Sequence, residues 1–263
     1  MIIAKIQGGL GNQMFQWAFA RSLSLARQER ELFIDLSGYN NQAGITQRKF
    51  ELDLFKNIKY KVFENQAASG QWAVLKDGFN YLKTLGDLQE AEKYNVFLDG
   101  YWQSQMYFEK YKSTIYSDFS PSFNEVFKCK SLIEPDSVSI HIRRTDYVTS
   151  NGYHPVQPIS YFYRGIQEIG GYNKLYVFSD EIDWCKTNLN FDRMVFVEGK
   201  SAIEDMRLMS FCKHNIISNS SFSWWAAWLN QNPNKIIVAP KSWFGPQANL
   251  NTADIIPQEW ITL

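Results

Sequence analysis

The stretch Ser137-Val138-Ser139-Ile140-His141-Ile142-Arg143-Arg144-Thr145-Asp146 constrains this chain more than any other. Its first half alternates branched apolar residues with small polar ones, the period of a short strand, and charge begins where the alternation stops. Two guanidiniums are thereby delivered at a strand end. In open α/β sheets the carboxyl ends of the strands line the ligand crevice, and the planar donor fork of an arginine matches the oxygens of a phosphate. The motif therefore predicts a parallel sheet with an anion site on its carboxyl edge. One arginine of Arg143 and Arg144 would hold the anion while the other ties down a neighbouring loop. The plain alternative is a solvated Arg pair bridged to Asp146.

The residues that follow repeat the unit. Segments 174–178, 194–197, 215–217 and 235–239 read as strands, separated by helices over 158–168, 183–189, a capping-box helix opening at Ser201-Ala202-Ile203-Glu204, and 221–229. Five strands alternating with four helices predict a parallel sheet of Rossmann type. The first half is looser. A strand over Met1 to Ile6 exits into Gly8-Gly9-Leu10-Gly11, and Asn12 is expected to cap a helix with apolar Met14, Phe15, Ala18, Phe19 and Leu23. Irregular chain is expected over 40–63, short helices over 66–75 and 81–94, a strand over 95–98, a helix over 106–117, and a connector over 118–135. The boundary is set between 1–130 and 131–263, giving an α/β chain of two facing domains.

Three loops follow strands of the second sheet: the Arg pair, Ser179-Asp180-Glu181, and Asn219-Ser220-Ser221 at the start of a helix. A helix N-terminus with free N–H groups and Ser hydroxyls is itself an anion site. The glycine loop has Gly-Gly-x-Gly spacing rather than Gly-x-Gly-x-x-Gly, so it is not a dinucleotide fingerprint. With 27 basic and 27 acidic residues there is no whole-molecule field to recruit nucleic acid. Cys129, Cys185 and Cys212 are too few and too scattered for a disulfide framework, and with His only at 141, 154 and 214 no zinc site is expected. No run approaches the roughly 20 apolar residues of a membrane span, and the apolar start is too short for a secretory segment. Nine Trp and fourteen Tyr suit either core packing or stacking on sugar rings.

His141-Ile-Arg-Arg-Thr-Asp146 resembles the His-x-Arg-Arg-x-Asp motif of GDP-fucose-dependent fucosyltransferases that form α1,2, α1,6 and protein O-linkages. Gly8-Gly-Leu-Gly-Asn-Gln-Met-Phe-Gln16 and Ile217-Ser-Asn-Ser-Ser-Phe-Ser-Trp-Trp225 resemble signatures of the bacterial α1,2-fucosyltransferase family, with Phe178-Ser-Asp-Glu181 a weaker match. The resemblance implies a GT-B-like pair of Rossmann domains, the first on the acceptor side and the second binding GDP-fucose. It implies an inverting transfer of L-fucose to the 2-hydroxyl of a galactoside in an oligosaccharide or glycolipid. On that reading Arg143 or Arg144, together with Ser220 and Ser221, clamps the diphosphate, Asp180 or Glu181 accepts from guanine or ribose, and Gly9, Gly11, Gln13, His141 and Phe222 complete the nucleotide set. Asn12 is placed at the reaction centre with Arg144, and Asp146 or His154 takes the acceptor proton. The chain has no Asp-x-Asp, so no metal and no cofactor are expected, arginine and helix donors serving instead. A bacterial cytoplasmic enzyme is expected, with peripheral contact at the inner face of the membrane left open. Thr145 stands where the α1,2 family usually has Gly and the α1,6 enzymes have Thr, and Trp17 where Tyr is usual. A second fucosyltransferase linkage and a non-catalytic glycan- or nucleotide-binding protein are the competing readings.

Overall fold

A computed structural model of the chain describes residues 1–29, 31–40, 42, 46–64, 70–150 and 152–263. It divides into two compact units, Met1–Ser120 with Leu250–Pro257, and Pro121–Asn249 with Gln258–Leu263. The first contains β1 (Ile2–Lys5), α1 (Leu10–Ala26), β2 (Leu32–Asp35), β3 (Lys61–Val62), β4 (Trp72–Lys76), α2 (Tyr81–Glu90), β5 (Asn95–Asp99) and α3 (Lys112–Phe119). Its strands, all parallel, run β3-β2-β1-β5-β4. Among the described residues no helix is long and apolar enough to cross a membrane.

Several expectations for this half are corrected. The segment 72–76 is a strand, paired in register with β5 from Trp72 opposite Asn95, whereas residues 66–69 of the expected 66–75 helix lie outside the described residues. The apolar run there belongs to a sheet edge, where a five-residue pattern does not distinguish helix from strand. The 106–117 helix is replaced by two 3-10 turns, Gln105–Tyr107 and Glu109–Tyr111, before α3. The cap of α1 is Gly9, with no side-chain cap. Asn12 sits one turn inside and accepts from Gln103 Nε2 at 2.8 Å.

The second unit contains α4 (Phe123–Leu132), β6 (Ser137–Ile142), α5 (Thr145–Val148), α6 (Ile159–Ile169), β7 (Lys174–Ser179), α7 (Ile182–Asn188), β8 (Met194–Phe196), α8 (Ala202–Phe211), β9 (His214–Ile216), α9 (Ser221–Trp228), β10 (Ile237–Ala239) and β11 (Ile261–Thr262). The strand order is β11-β10-β9-β6-β7-β8, again all parallel. The residues expected to be a connector, 118–135, include α4, opened by a Ser122/Glu125 capping box. Arg207 and Lys128 pair α4 with α8 through Glu125 and Glu204. The units thus divide at 120/121 rather than at 130/131, because α4 packs with the second sheet's helices.

All six residues of β6 are buried. Val138, Ile140 and Ile142 join Tyr161, Phe162, Leu175, Val177, Ile216 and Val238 in one apolar cluster. Of the alternate positions, Ser139 and His141 carry polar groups with buried partners: His141 Nδ1 lies 3.0 Å from Ser218 Oγ, Ser139 Oγ accepts from Asn215 Nδ2 at 2.7 Å, and Asn215 Oδ1 accepts from Asn230 Nδ2 at 2.7 Å. The alternation in this strand therefore separates two buried faces, one apolar and one hydrogen-bonded, rather than core from solvent. On the apolar side α6 presents Gly165 to β9; a Cβ there would lie 3.0 Å from Ile216 Cδ1 and Cγ2. Gly165→Leu is expected to destabilise by about 1–3 kcal/mol through overpacking, outweighing a helix-propensity gain of about 1 kcal/mol. Urea unfolding of the two proteins measures it.

Candidate functional site

Strands β9, β6 and β7 are neighbours, so the three loops that follow them meet at one carboxyl edge of the second unit. Arg143 Nε donates to Asp146 Oδ1 at 2.9 Å, with Nη2 2.7 Å from the same oxygen and Nη1 3.2 Å from Asp180 Oδ2. A guanidinium carries five N–H groups, and this arrangement occupies at most three, leaving two on the terminal nitrogens. Arg144 points elsewhere. Its Nε donates to Glu181 Oε2 at 2.9 Å, its main-chain N donates to Asp180 Oδ1 at 3.0 Å, and its guanidinium lies 3.7 Å over the Trp184 ring on α7. Thr145 Oγ1 donates to Asp180 Oδ2. Asp180 and Glu181 are thus engaged with the β6 loop.

Arg143 shares its surroundings with the head of α9. Its guanidinium is 5.7 Å from the Tyr147 ring, and Tyr147 Oη donates to the Asn219 carbonyl at 2.8 Å, one residue before the α9 cap Ser220. Neither Ser220 nor Ser221 caps the helix through its side chain; Trp224 N donates to the Ser220 carbonyl at 2.9 Å. His141 is buried, its Nδ1 is 3.0 Å from Ser218 Oγ, and its ring lies 5.5 Å from that of Phe222. His154 stacks on Tyr147 at 4.7 Å and 13°, with Nδ1 buried and without a hydrogen-bond partner. Arg143, Arg144, Asp146, His141, His154, Asp180, Glu181, Ser220, Ser221 and Phe222 are therefore gathered on this one unit.

The glycine-loop residues belong to the first unit. Gly8 takes a φ of +79°, and the ideal Cβ position of Gly9 lies 3.8 Å from the Arg48 side chain. Gln13 is fully buried and spends its amide inside the loop: Nε2 donates to the Gly8 and Lys49 carbonyls, and Oε1 accepts from Glu51 N. Gln13 therefore braces the loop, with both amide hydrogens used inside it. Gly11 is a buried position of α1.

Tyr147, Asn219, Gln157 and Trp184 were not singled out from sequence. Tyr147 and Asn219 sit beside or inside quoted motifs, so proximity was a usable signal. Trp184 offered none, because a partly buried aromatic on a helix does not reveal the arginine it will stack on. Among the described residues no group of three or more His, Cys, Asp or Glu is arranged to hold a metal ion.

The electrostatics of the site follow from burial. Desolvation, then the Arg143 guanidinium, push the His141 imidazole from 6.5 down to about 4, with Asp180 opposing. Burial also lowers His154 and raises the Tyr147 phenol. At neutral pH both rings are uncharged. For His141 the unfolded chain takes up its proton first as pH falls, so its contribution is full above about 6.5 and is lost as pH drops towards 4. The expected loss is on the order of 2–3 kcal/mol. Thermal melts between pH 7 and pH 4.5 should fall more steeply for the native chain than for His141→Gln.

The model of glycosyl transferase family 11 matches residues 80–263. An Escherichia coli protein named alpha-1,2-colitosyltransferase is 33% identical, over 100% of this chain and 99% of its own. The Escherichia coli O-antigen biosynthesis glycosyltransferase WbnK is 30% identical over 98% of this chain and 99% of its own. A solved structure of NodZ α1,6-fucosyltransferase co-crystallised with GDP aligns with a TM-score of 0.52 at 16% identity, covering 90% of this chain and 94% of that one. At that identity the likeness speaks for the fold, two parallel sheets with alternating helices of the GT-B kind.

Proposed function

Because this chain belongs to glycosyl transferase family 11, we propose that it moves L-fucose from GDP-β-L-fucose to the 2-hydroxyl of a galactoside, inverting the anomeric carbon without a metal ion. The acceptor oxygen attacks that carbon, the bond to the β-phosphate oxygen breaks, and its electron pair leaves with GDP. The observation that carries the reading is Arg143, fixed by Asp146 and Asp180 with two N–H groups to spare, and linked through Tyr147 to the head of α9, whose first turn offers further N–H donors. Fixed donors where charge develops contribute a few kcal/mol each, which is the work a metal would otherwise do. The absence of Asp-x-Asp from the sequence supports the same choice. For the acceptor proton, Asp146 is committed to Arg143 and His154 is a neutral imidazole beside it. We assign the reaction to the cytoplasm, at the inner face of the membrane where the acceptor is a glycolipid.

The relative named for colitosyl transfer favours one second reading, colitose in place of fucose on the same nucleotide. Incubation with each GDP-sugar and galactose-terminated acceptors, with the new linkage located by NMR, decides between them. A 1,2-linked product is expected, formed at an undiminished rate in excess chelator. No product with any such acceptor sinks the proposal, and a rate that collapses in chelator and returns with manganese removes its metal-independent part.

The two arginines are expected to differ. Arg143→Ala should lower kcat by roughly a hundredfold to a thousandfold with a smaller change in donor KM, and Arg143→Lys should not restore it, because a point ammonium lacks the fork. Arg144→Ala should instead lower the melting temperature, losing a partly exposed ion pair and a stack on Trp184 together worth about 1–2 kcal/mol. Steady-state kinetics and melts of the three variants check this; two normal melts with near-native kcat for both Ala variants would make the pair surface decoration.

A further inference from the structure

We infer that the segment Trp243–Gly245, which follows β10 and lies outside the three strand-end loops, is a clasp that positions the anion site. Asn219 is 2% exposed and each of its polar groups goes to a different piece of chain. Its Nδ2 donates to the Trp243 carbonyl at 2.9 Å, its Oδ1 accepts from Gln157 Nε2 at 3.0 Å, and its carbonyl accepts from Tyr147 Oη at 2.8 Å. Three separate anchors thus fix the residue just before the α9 cap.

The rings complete the connection. Phe244 lies 5.3 Å from His154 and 5.7 Å from Tyr153; His154 stacks on Tyr147; and the Tyr147 ring faces the Arg143 guanidinium. Phe244, His154, Tyr147 and Arg143 form one continuous row. Its outer end is closed by backbone: Gly245 N donates to the Tyr153 carbonyl at 2.9 Å, and a Cβ on Gly245 would fall 1.7 Å from the Gly152 oxygen. No other residue fits at 245 without moving the 152–154 turn, and His154 would move with it. Stacked rings and buried hydrogen bonds transmit displacement because packed side chains have few alternative arrangements. Phe244, Gln157 and Gly245 act as positioning residues for the donor, since they reach it only through Asn219 and Tyr147.

The inference rests on the donor being a guanosine diphosphate sugar, and the test uses GDP itself. Calorimetric GDP affinity, donor KM, kcat and melting temperature would be measured for the native chain, Phe244→Leu, Phe244→Tyr and Gln157→Met. Phe244→Leu removes a ring from the row and is expected to raise the GDP Kd and the donor KM by about tenfold. Phe244→Tyr keeps the ring and should restore both to within twofold to threefold of native. Gln157→Met removes the hydrogen bond to Asn219 and a longer one, 3.5 Å, to the Pro155 carbonyl; it should weaken GDP by about threefold to tenfold with a melting temperature lower by only a few degrees, so the proposal stands on it if Phe244→Leu does not fold. A native GDP Kd in Gln157→Met, or in a folded Phe244→Leu whose only change is a lower melting temperature, makes the segment ordinary core and overturns the clasp. A native chain that takes no GDP overturns both the clasp and the proposed donor.

Discussion

The second unit depends on the Arg143 guanidinium being held before any ligand arrives. Asp146 supplies one oxygen to two of its nitrogens from the short helix α5, and Asp180 supplies another from the end of β7. Both carboxylates are partly exposed, so neither pair is a strong stabiliser, and their value lies in direction. Two guanidiniums here face three carboxylates, Asp146, Asp180 and Glu181, which leaves the group one charge negative. A diphosphate is therefore not drawn in by net charge. Unit charges about 4 Å apart interact by roughly 4 kcal/mol at an effective dielectric constant of 20. In the proposed reaction such an anion must therefore meet, at hydrogen-bond range, the N–H groups of Arg143 that Asp146 and Asp180 do not take up, together with those of the helix head.

The same demand falls on the strand that carries the arginine. β6 is buried on both faces, and its polar face is tied into the Ser139, Asn215 and Asn230 network. Asn230 Nδ2 also donates to the Cys212 carbonyl at 2.9 Å, so the chain before β9 and the end of α9 are fixed to the same point. A buried hydrogen-bonded chain tolerates no slip, since a one-residue shift of β6 against β9 would bury unpaired amides at about 1–3 kcal/mol each. Register is thereby specified by polar contacts in a layer where apolar packing alone would allow neighbouring arrangements. The positions of Arg143, Asp180 and Asn219 on one edge inherit that specification.

What was legible in the sequence was the part whose signal is local. The strand-to-charge transition at 137–146, the Ser201/Glu204 box that opens α8 and each single strand or helix of the second half occupy fewer than about fifteen residues, and the structure contains all three. The Ser122-x-x-Glu125 box was equally local, yet the flanking prolines and lysines read as a linker and α4 was missed. The remaining differences concern partners far apart in sequence. Asp77 accepts from the main-chain nitrogens of Tyr101 and Trp102 across 24 and 25 residues and supports a Trp102 φ of +55°. Tyr147 finds Asn219 across 72 residues, and Arg144 finds Glu181 across 37. No periodicity encodes such pairs, so a motif can name the residues of a site without saying which of them hold one another.

Those pairings also determine how the site carries charge. His141 and His154 are kept neutral and the Tyr147 phenol is kept protonated by the same cause, removal from water. Around neutral pH these three rings therefore act through hydrogen bonds, stacking and shape. Tyr147 can donate to Asn219 throughout that range because its hydroxyl does not ionise, and His141 can meet Ser218 without bringing a positive charge beside Arg143. Charge is left to the arginines and the carboxylates that orient them. Had either imidazole been cationic, the anion could have been bound by several diffuse positive groups in more than one pose. With both neutral, the proposed reaction leaves the guanidinium and the helix head as the place for negative charge, and a leaving group stabilised by fixed donors, as proposed, needs that place to be single.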